Sequence, residues 1–374
     1  MKHLSNLTGG LILSSGYSGF RITMKIKKLN RTNKIQQHKK ISKKIYSLTL
    51  VGVIILCVFF AGPVFSGCTP YKDPVVKTAF FLNTFVTITF YSEEDAAVFP
   101  DCVAILEKYE KRFSRTDPES ELYKLNHAGG QTFTVSPETA SLITDALNYC
   151  ELTDGALDIT IAPVMDLWNF SEAVDGQLPP HEASLKEALS HVDYSKIHIS
   201  GCDITLEDPE AAIDLGFIAK GYIADRLKEY LENAGIQSAL INLGGNINLV
   251  GAKPDGGDYI IGVKRPFSDA NDPLTSISIR DTSFVSSGIY ERCFTTNGIF
   301  YHHILDAHTG YPVDNNLYQV SVLCDDSETA DALSTTLMIL GKEKGTELID
   351  SIDNAHALFV DSSYNLTYSA DFPE

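Results

Sequence analysis

Asp331 and Thr335 stand four residues apart in SETADALSTTLMILG, a spacing that stacks a carboxylate and a hydroxyl on one side of a helix. Hard oxygen donors placed in this way suit Mg2+, which fills its other positions with water or substrate phosphate oxygens. The same pair also describes an ordinary wet polar face. Asp214 leads into a helical stretch that carries Lys220 near its start. The unpaired N–H groups of a helix start, joined by a lysine, attract a phosphate or a carboxylate. Without a ligand, Asp214 reads as a helix cap and Lys220 as a solvated side chain. A third group is YHHILDAHTGYP, in which His302, His303, Asp306 and His308 run into a turn. Adjacent strand residues face opposite ways, so one of the paired histidines can sit in the core or on the surface while the other serves a site. None of these stretches is an H-E-x-x-H zinc helix, a G-x-G-x-x-G fingerprint or a P-loop.

The elements that must position these residues are legible in outline. TAFFLNTFVTITFY, residues 78–91, reads as a strand from its β-branched and aromatic content. Helical spacing marks residues 94–112 and 137–152. Ala211-Ala212-Ile213 is a short apolar strand, after which Ile218, Tyr222, Leu227 and Leu231 predict a helix beginning beside Asp214 and stopping at Gly235. The strand Ser238–Leu243 ends in Gly244-Gly245, where missing side chains allow a backbone or a ligand to come close. Ser327 reads as the cap of a helix that ends at Gly341, with Ala330, Leu333, Leu337 and Leu340 as its apolar stripe and Asp331 and Thr335 roughly opposite. Residues 172–200 look like a polar insertion with one short helix. Helices and strands mix without a regular βαβ repeat, so the class is α+β, a mixed α/β domain, with no internal repeat and no clean linker.

Charge divides the chain. The formal net charge is −18, yet residues 1–67 hold eleven Lys or Arg and no Asp or Glu, so the remainder carries about −29. Nine of those basic residues fall in 25–44, directly before the uncharged run YSLTLVGVIILCVFFAGPVFSG. A basic stretch before an apolar one is an export signal. Its end, Phe65-Ser66-Gly67-Cys68, resembles a lipobox, which would make Cys68 the lipidated first residue of a protein held at the cell membrane on the extracytoplasmic or periplasmic side. An uncleaved anchor gives the same placement, and Met24 opens a more ordinary signal than Met1. The organisation expected is therefore a signal over 1–67, a tether over 68–76 and one domain over 77–374. Cys102, Cys150, Cys202, Cys293 and Cys324 are widely spaced, odd in number, and read as small hydrophobes with no disulfide framework. An acidic body lacks the clustered Lys and Arg that phosphate backbones need, which disfavours nucleic acid as a partner.

Taken in order, Leu82-Asn83-Thr84, FSRTDPESELYKLN, TDGALDITIAPVMDLWNF, IDLGFIAKGYIAD, LINLGGNI, VSSGIYER, HHILDAHTGYPV and ADALSTTLMILG resemble the collinear motifs of the ApbE family of FAD:protein FMN transferases, over about residues 77–350. The resemblance implies a T-fold-like domain with FAD as substrate in a cleft and Mg2+ bridging its pyrophosphate to the protein. Position by position, Asp331 and Thr335 match metal ligands, and Phe217 matches a residue giving its backbone carbonyl to the metal. Asp214 and Lys220 match FAD contacts, Ala156, Leu157 and Asp158 a segment beside the flavin, and Leu82 and Thr116 outer contacts. His303 matches the catalytically important histidine, with Ile304 and Thr309 lining the same region, and Asp331 is counted with it as catalytic. Leu82-Asn83 replaces the family's Met-Gly, and Ala307-His308 replaces a proline-containing pair. The implied reaction moves FMN from FAD to a Thr or Ser hydroxyl of an acceptor protein, with AMP leaving. Acceptors would carry a D-G-x-S/T-G-A-T-like segment, as in subunits of NADH:quinone reductase or Rnf-type complexes. Two rivals use the same residues: a Mg2+-dependent FAD pyrophosphatase, and an FAD-binding lipoprotein without chemistry.

Overall fold

Segments with apolar side chains on alternate residues pair edge to edge in chain order. β1 (Val75–Phe81), β2 (Thr84–Phe90), β3 (Ser238–Leu243), β4 (Asn246–Gly251), β5 (Ser283–Gly288), β6 (Leu317–Cys324), β7 (Ala355–Asp361) and β8 (Leu366–Tyr368) form one sheet in that spatial order, each strand antiparallel to its neighbours. The computed structural model describes residues 73–268 and 272–373, within the compact unit Lys72–Glu374. The export segment and Cys68 lie outside the described residues. β1 opens two residues ahead of the domain start expected at 77. Among the described residues no helix is long and apolar enough to cross a membrane.

Strand parity decides what each face covers. Val86, Ile88, Phe90, Ile241, Val250, Val285 and Val322 point to one side and are buried there against helices. Those helices are α1 (Phe99–Phe113), α2 (Pro137–Leu152), α3 (Ala219–Asn233) and α4 (Ser327–Ile349). The alternate residues Leu249, Phe284, Leu323 and Leu358 point the other way, into a second core under the hairpin Tyr259–Val263/Thr275–Ile279. α2 begins as its sequence predicts, with Pro137 in its first turn and the Ser136 hydroxyl accepting from Thr139 N–H.

Several expectations are corrected. Residues 78–91 are two strands, because Leu82 and Asn83 both take positive φ (54° and 57°) and close a tight hairpin. Asn tolerates that region and the right-handed strand twist favours the turn. The helix expected over 94–112 is a short turn at Glu93–Ala96 followed by α1, whose second residue is Pro100. α3 starts at Ala219, five residues beyond Asp214, and Ile218 at its cap makes no side-chain bond. Asp326, one residue before Ser327, caps α4 through a 2.7 Å bond from Thr329 N–H. Gly341 does not end that helix: it kinks it (φ 77°, ψ 174°), and the chain coils on to Ile349.

Candidate active site

The recognisable stretches of the sequence are laced to one another. The Asn126 amide clasps Ile213, donating to its carbonyl and accepting from its N–H at 2.8 Å each. Asp214 N–H donates to the Ile159 carbonyl at 2.8 Å. Gly221 then lets α4 come close: a Cβ there would lie 2.2 Å from the Ser327 carbonyl oxygen. Asp225, one turn further along α3, accepts from Ser327 N–H (3.0 Å), Glu328 N–H (2.9 Å) and the Asn248 amide (2.8 Å), and so ties the start of α4 to α3 and β4.

That crossing buries Asp331, which is 2% exposed. Lys220 Nζ lies 2.9 Å from Oδ1 and 3.2 Å from Oδ2, and Gly221 N–H donates to Oδ2 at 2.9 Å. Burial raises the Asp331 carboxyl above its ordinary range, opposed by the Lys220 charge and these hydrogen bonds. The expected polar face opposite an apolar stripe is therefore not what forms, since Ala332, Ser334, Thr336 and Met338 are buried as well. Thr335, one turn on, meets Ser287 of β5, with the two hydroxyls 3.0 Å apart.

In front of this crossing opens a cleft of about 700 Å3, a size that suits a large cofactor-like ligand. Leu82, Thr116, Leu157, Asp158, Asp214, Phe217, Lys220, His303, Ile304 and Thr335 line it. Ala156, Thr309 and Asp331 do not. Ala156 supports the wall by accepting from Ala307 N–H at 3.0 Å, the exposed Thr309 bonds within its own turn, and Asp331 lies behind Lys220. Asp158 is fully engaged, its Oδ1 accepting from the Thr160 N–H and hydroxyl and its Oδ2 from Tyr194 N–H. Asp214 caps nothing: Oδ1 accepts from Gly216 N–H at 2.7 Å, and Oδ2 pairs with Arg115 Nε at 2.7 Å.

The paired histidines divide as strand geometry requires. His302 is buried, accepting at Nδ1 from Ile304 N–H and donating from Nε2 to the Val313 carbonyl; burial lowers its pKa to about 4. His303 faces the cleft. The Arg292 carbonyl accepts from both its backbone N–H (3.1 Å) and its ring Nδ1 (3.3 Å). A carbonyl can only accept, so Nδ1 carries the proton and Nε2 keeps its lone pair. Loss of water around the ring, with the Arg292 charge next in size, lowers the His303 pKa to about 3, so the imidazole is neutral near pH 7.

Whether a divalent cation suits these residues can be judged from one backbone group. In a regular helix Gly221 N–H would bond the Phe217 carbonyl four residues back. Here it donates to Asp331, and among the described residues no N–H takes its place. A carboxylate, a hydroxyl and an unengaged carbonyl are hard donors of the kind Mg2+ takes when substrate and water complete its shell. No group of three or more His, Cys, Asp or Glu able to hold a metal gathers among the described residues, so a cation here would lean on its substrate. The five cysteines of the described residues are free, with Cys102, Cys150 and Cys324 buried.

Sequence reading passed over Asn126, Gly221, Asp225, Ser287, Arg115 and Arg292. The one with a usable signal is Gly221, a glycine inside a helical pattern and hence a place of close packing.

A mixed α/β domain whose cleft sets hard oxygen donors and cations against a neutral imidazole is equipped for group transfer on a phosphate-bearing ligand. Residues 82–359 match the ApbE family, and the chain belongs to it. An FAD:protein FMN transferase of Klebsiella pneumoniae is 34% identical over 296 residues, covering 78% of this chain and 91% of its own. The crystal structure of the ApbE protein of Thermotoga maritima superposes with a TM-score of 0.72 at 31% identity, over 80% of this chain and 97% of that one. The flavin transferase ApbE of Vibrio cholerae gives 0.70 at 27%, over 80% and 98%.

Proposed function

We propose that this chain is a Mg2+-dependent FAD:protein FMN transferase, exported and held at the membrane by a lipid on Cys68. The observation that carries the reading is one cleft, in a member of this family, whose lining joins Lys220, Phe217 and Thr335 to a neutral His303. The placement outside the cytoplasm rests on the basic and apolar run that precedes Cys68.

In the proposed reaction an acceptor Thr or Ser hydroxyl attacks the phosphorus on the FMN side of FAD. Its O–P bond forms as the bond from that phosphorus to the bridging oxygen breaks, and AMP leaves with the bridging oxygen. The hydroxyl proton passes to Nε2 of His303, which the Arg292 carbonyl has fixed in the accepting tautomer. Asp331, Thr335 and the Phe217 carbonyl would hold Mg2+, which supplies charge neutralisation on the phosphate oxygens when bound. Lys220 adds a positive charge beside the same oxygens, and Leu157 and Ile304 give the flavin apolar wall.

The test incubates the full chain with FAD, Mg2+ and an acceptor bearing a D-G-x-S-G-A-T segment and measures the acceptor's intact mass. A single added FMN, lost on omitting Mg2+, is expected. Release of FMN and AMP with an unlabelled acceptor would make the chain a pyrophosphatase, and FAD bound without turnover would make it a carrier.

A further inference from the structure

Three cations line the cleft, and two of them are already committed. Arg115 lies between Asp166 (2.5 Å) and Asp214 (2.7 Å), and Lys220 sits on Asp331. Arg292 is exposed and forms no ion pair among the described residues. Even its acidic neighbour Glu291 is drawn off, with Lys264 Nζ 3.4 Å from its carboxylate. The other charged residues of the lining are acidic: Glu110, Asp117, Asp158, Asp214 and Glu291. Arg292 is thus the one cation of the lining that no carboxylate of the described residues holds before a pyrophosphate enters.

Its place is also informative. The Arg292 backbone carbonyl orders the His303 ring, both residues line the cleft, and the Arg292 charge acts on the imidazole. A general base must stand within hydrogen-bond reach of the attacking hydroxyl, and that hydroxyl about 3 Å from the phosphorus it attacks. The cation beside the base is therefore beside the phosphate under attack. A planar guanidinium can grip two non-bridging phosphate oxygens at once.

We propose that the Arg292 guanidinium binds the FMN-side phosphate of FAD, the phosphate that is transferred. This rests on the transferase reading above and adds to it the residue that holds the moving group. Because the contact to His303 comes from the main chain of residue 292, a substitution there removes the guanidinium and keeps the tautomer of the imidazole.

The test measures binding of FMN and of riboflavin to the full chain by flavin fluorescence, for the wild type, Arg292→Gln and Arg292→Lys. FMN and riboflavin differ only by that phosphate. Arg292→Gln is expected to weaken FMN about tenfold to a hundredfold, as loss of a charge-assisted contact does, and to leave riboflavin within about twofold. Arg292→Lys should recover part of the loss, since charge returns without the fork. Equal weakening of both ligands, or an FMN affinity unchanged in Arg292→Gln, overturns the assignment. A wild type that labels its acceptor while Arg292→Gln binds FMN normally sinks this inference alone; a wild type that neither binds nor transfers flavin sinks the functional reading beneath it.

Discussion

Where α3 crosses α4, Asp331 is buried under Lys220 and Gly221 N–H, Asp225 accepts from the first two N–H groups of α4, and Thr335 rests on Ser287. On another part of the lining, between Gly288 and Ile304, the side chain of Arg292 is exposed, and among the described residues it has no ion-pair partner and His303 Nε2 no hydrogen bond. The first wall is held by its own hydrogen bonds before any ligand arrives, which is what fixed placement of a metal and a pyrophosphate requires. The second keeps its functional atoms open, which is what a base and an anion contact need if a second protein must reach them. The two walls should therefore fail differently when damaged.

The largest effect is expected at the first wall. Asp331→Ala removes the one carboxylate of the proposed cation site and leaves Lys220 without its partner. Acceptor labelling should fall by at least about a thousandfold, since the metal's electrostatic contribution goes with its ligand. Thermal unfolding should show a loss of about 1–2 kcal/mol, below the range for a fully buried pair because Lys220 is partly solvated. Next comes His303→Ala at the second wall. Single-turnover labelling should drop about a hundredfold to ten-thousandfold, with FAD affinity and Tm close to wild type, as among the described residues its ring bonds only the Arg292 carbonyl. A parallel fall in FAD affinity would erase the distinction between the walls.

Gly221→Ala probes the crossing without touching a ligand. The added Cβ would meet the Ser327 carbonyl at 2.2 Å, so the helices must part, costing about 1–3 kcal/mol in a denaturant titration. The smallest effect is a pH slope. Burial and acidic neighbours raise Asp225 to about 6 and Glu328 to about 8. Both folded-state values exceed those of unfolded carboxyls, so between them the folded protein binds more protons and its stability declines as pH rises. His302 and His303, kept neutral by burial, push the other way below about pH 6.5, so Tm should drift down between about pH 7 and 8, and Glu328→Gln should flatten that drift. A Tm that climbs over the same range would contradict the burial of these carboxyls.

What the sequence disclosed follows the same division. Helix α2 and strand β3 match their expected limits because period, cap and glycine signals agree. Asp331 and Thr335 carried the right spacing, but the burial of Asp331 did not show, since it depends on α3 arriving from a hundred residues away through a glycine. The hairpin at Leu82-Asn83 was hidden by a run of strand-forming residues, with Asn83 the one hint of a turn. Arg292 looked like any surface arginine. Its isolation is a property of the cleft, where each other lining cation has found a carboxylate.

The most direct measurement is diffraction from crystals of the full chain soaked with FAD and Mn2+ in place of Mg2+. The account predicts an anomalous peak about 2.1 Å from a carboxylate oxygen of Asp331 and from the Thr335 hydroxyl, with the flavin-side phosphate between it and His303. A metal bound away from the α3–α4 crossing, or a pyrophosphate pointing out of the cleft, would contradict it.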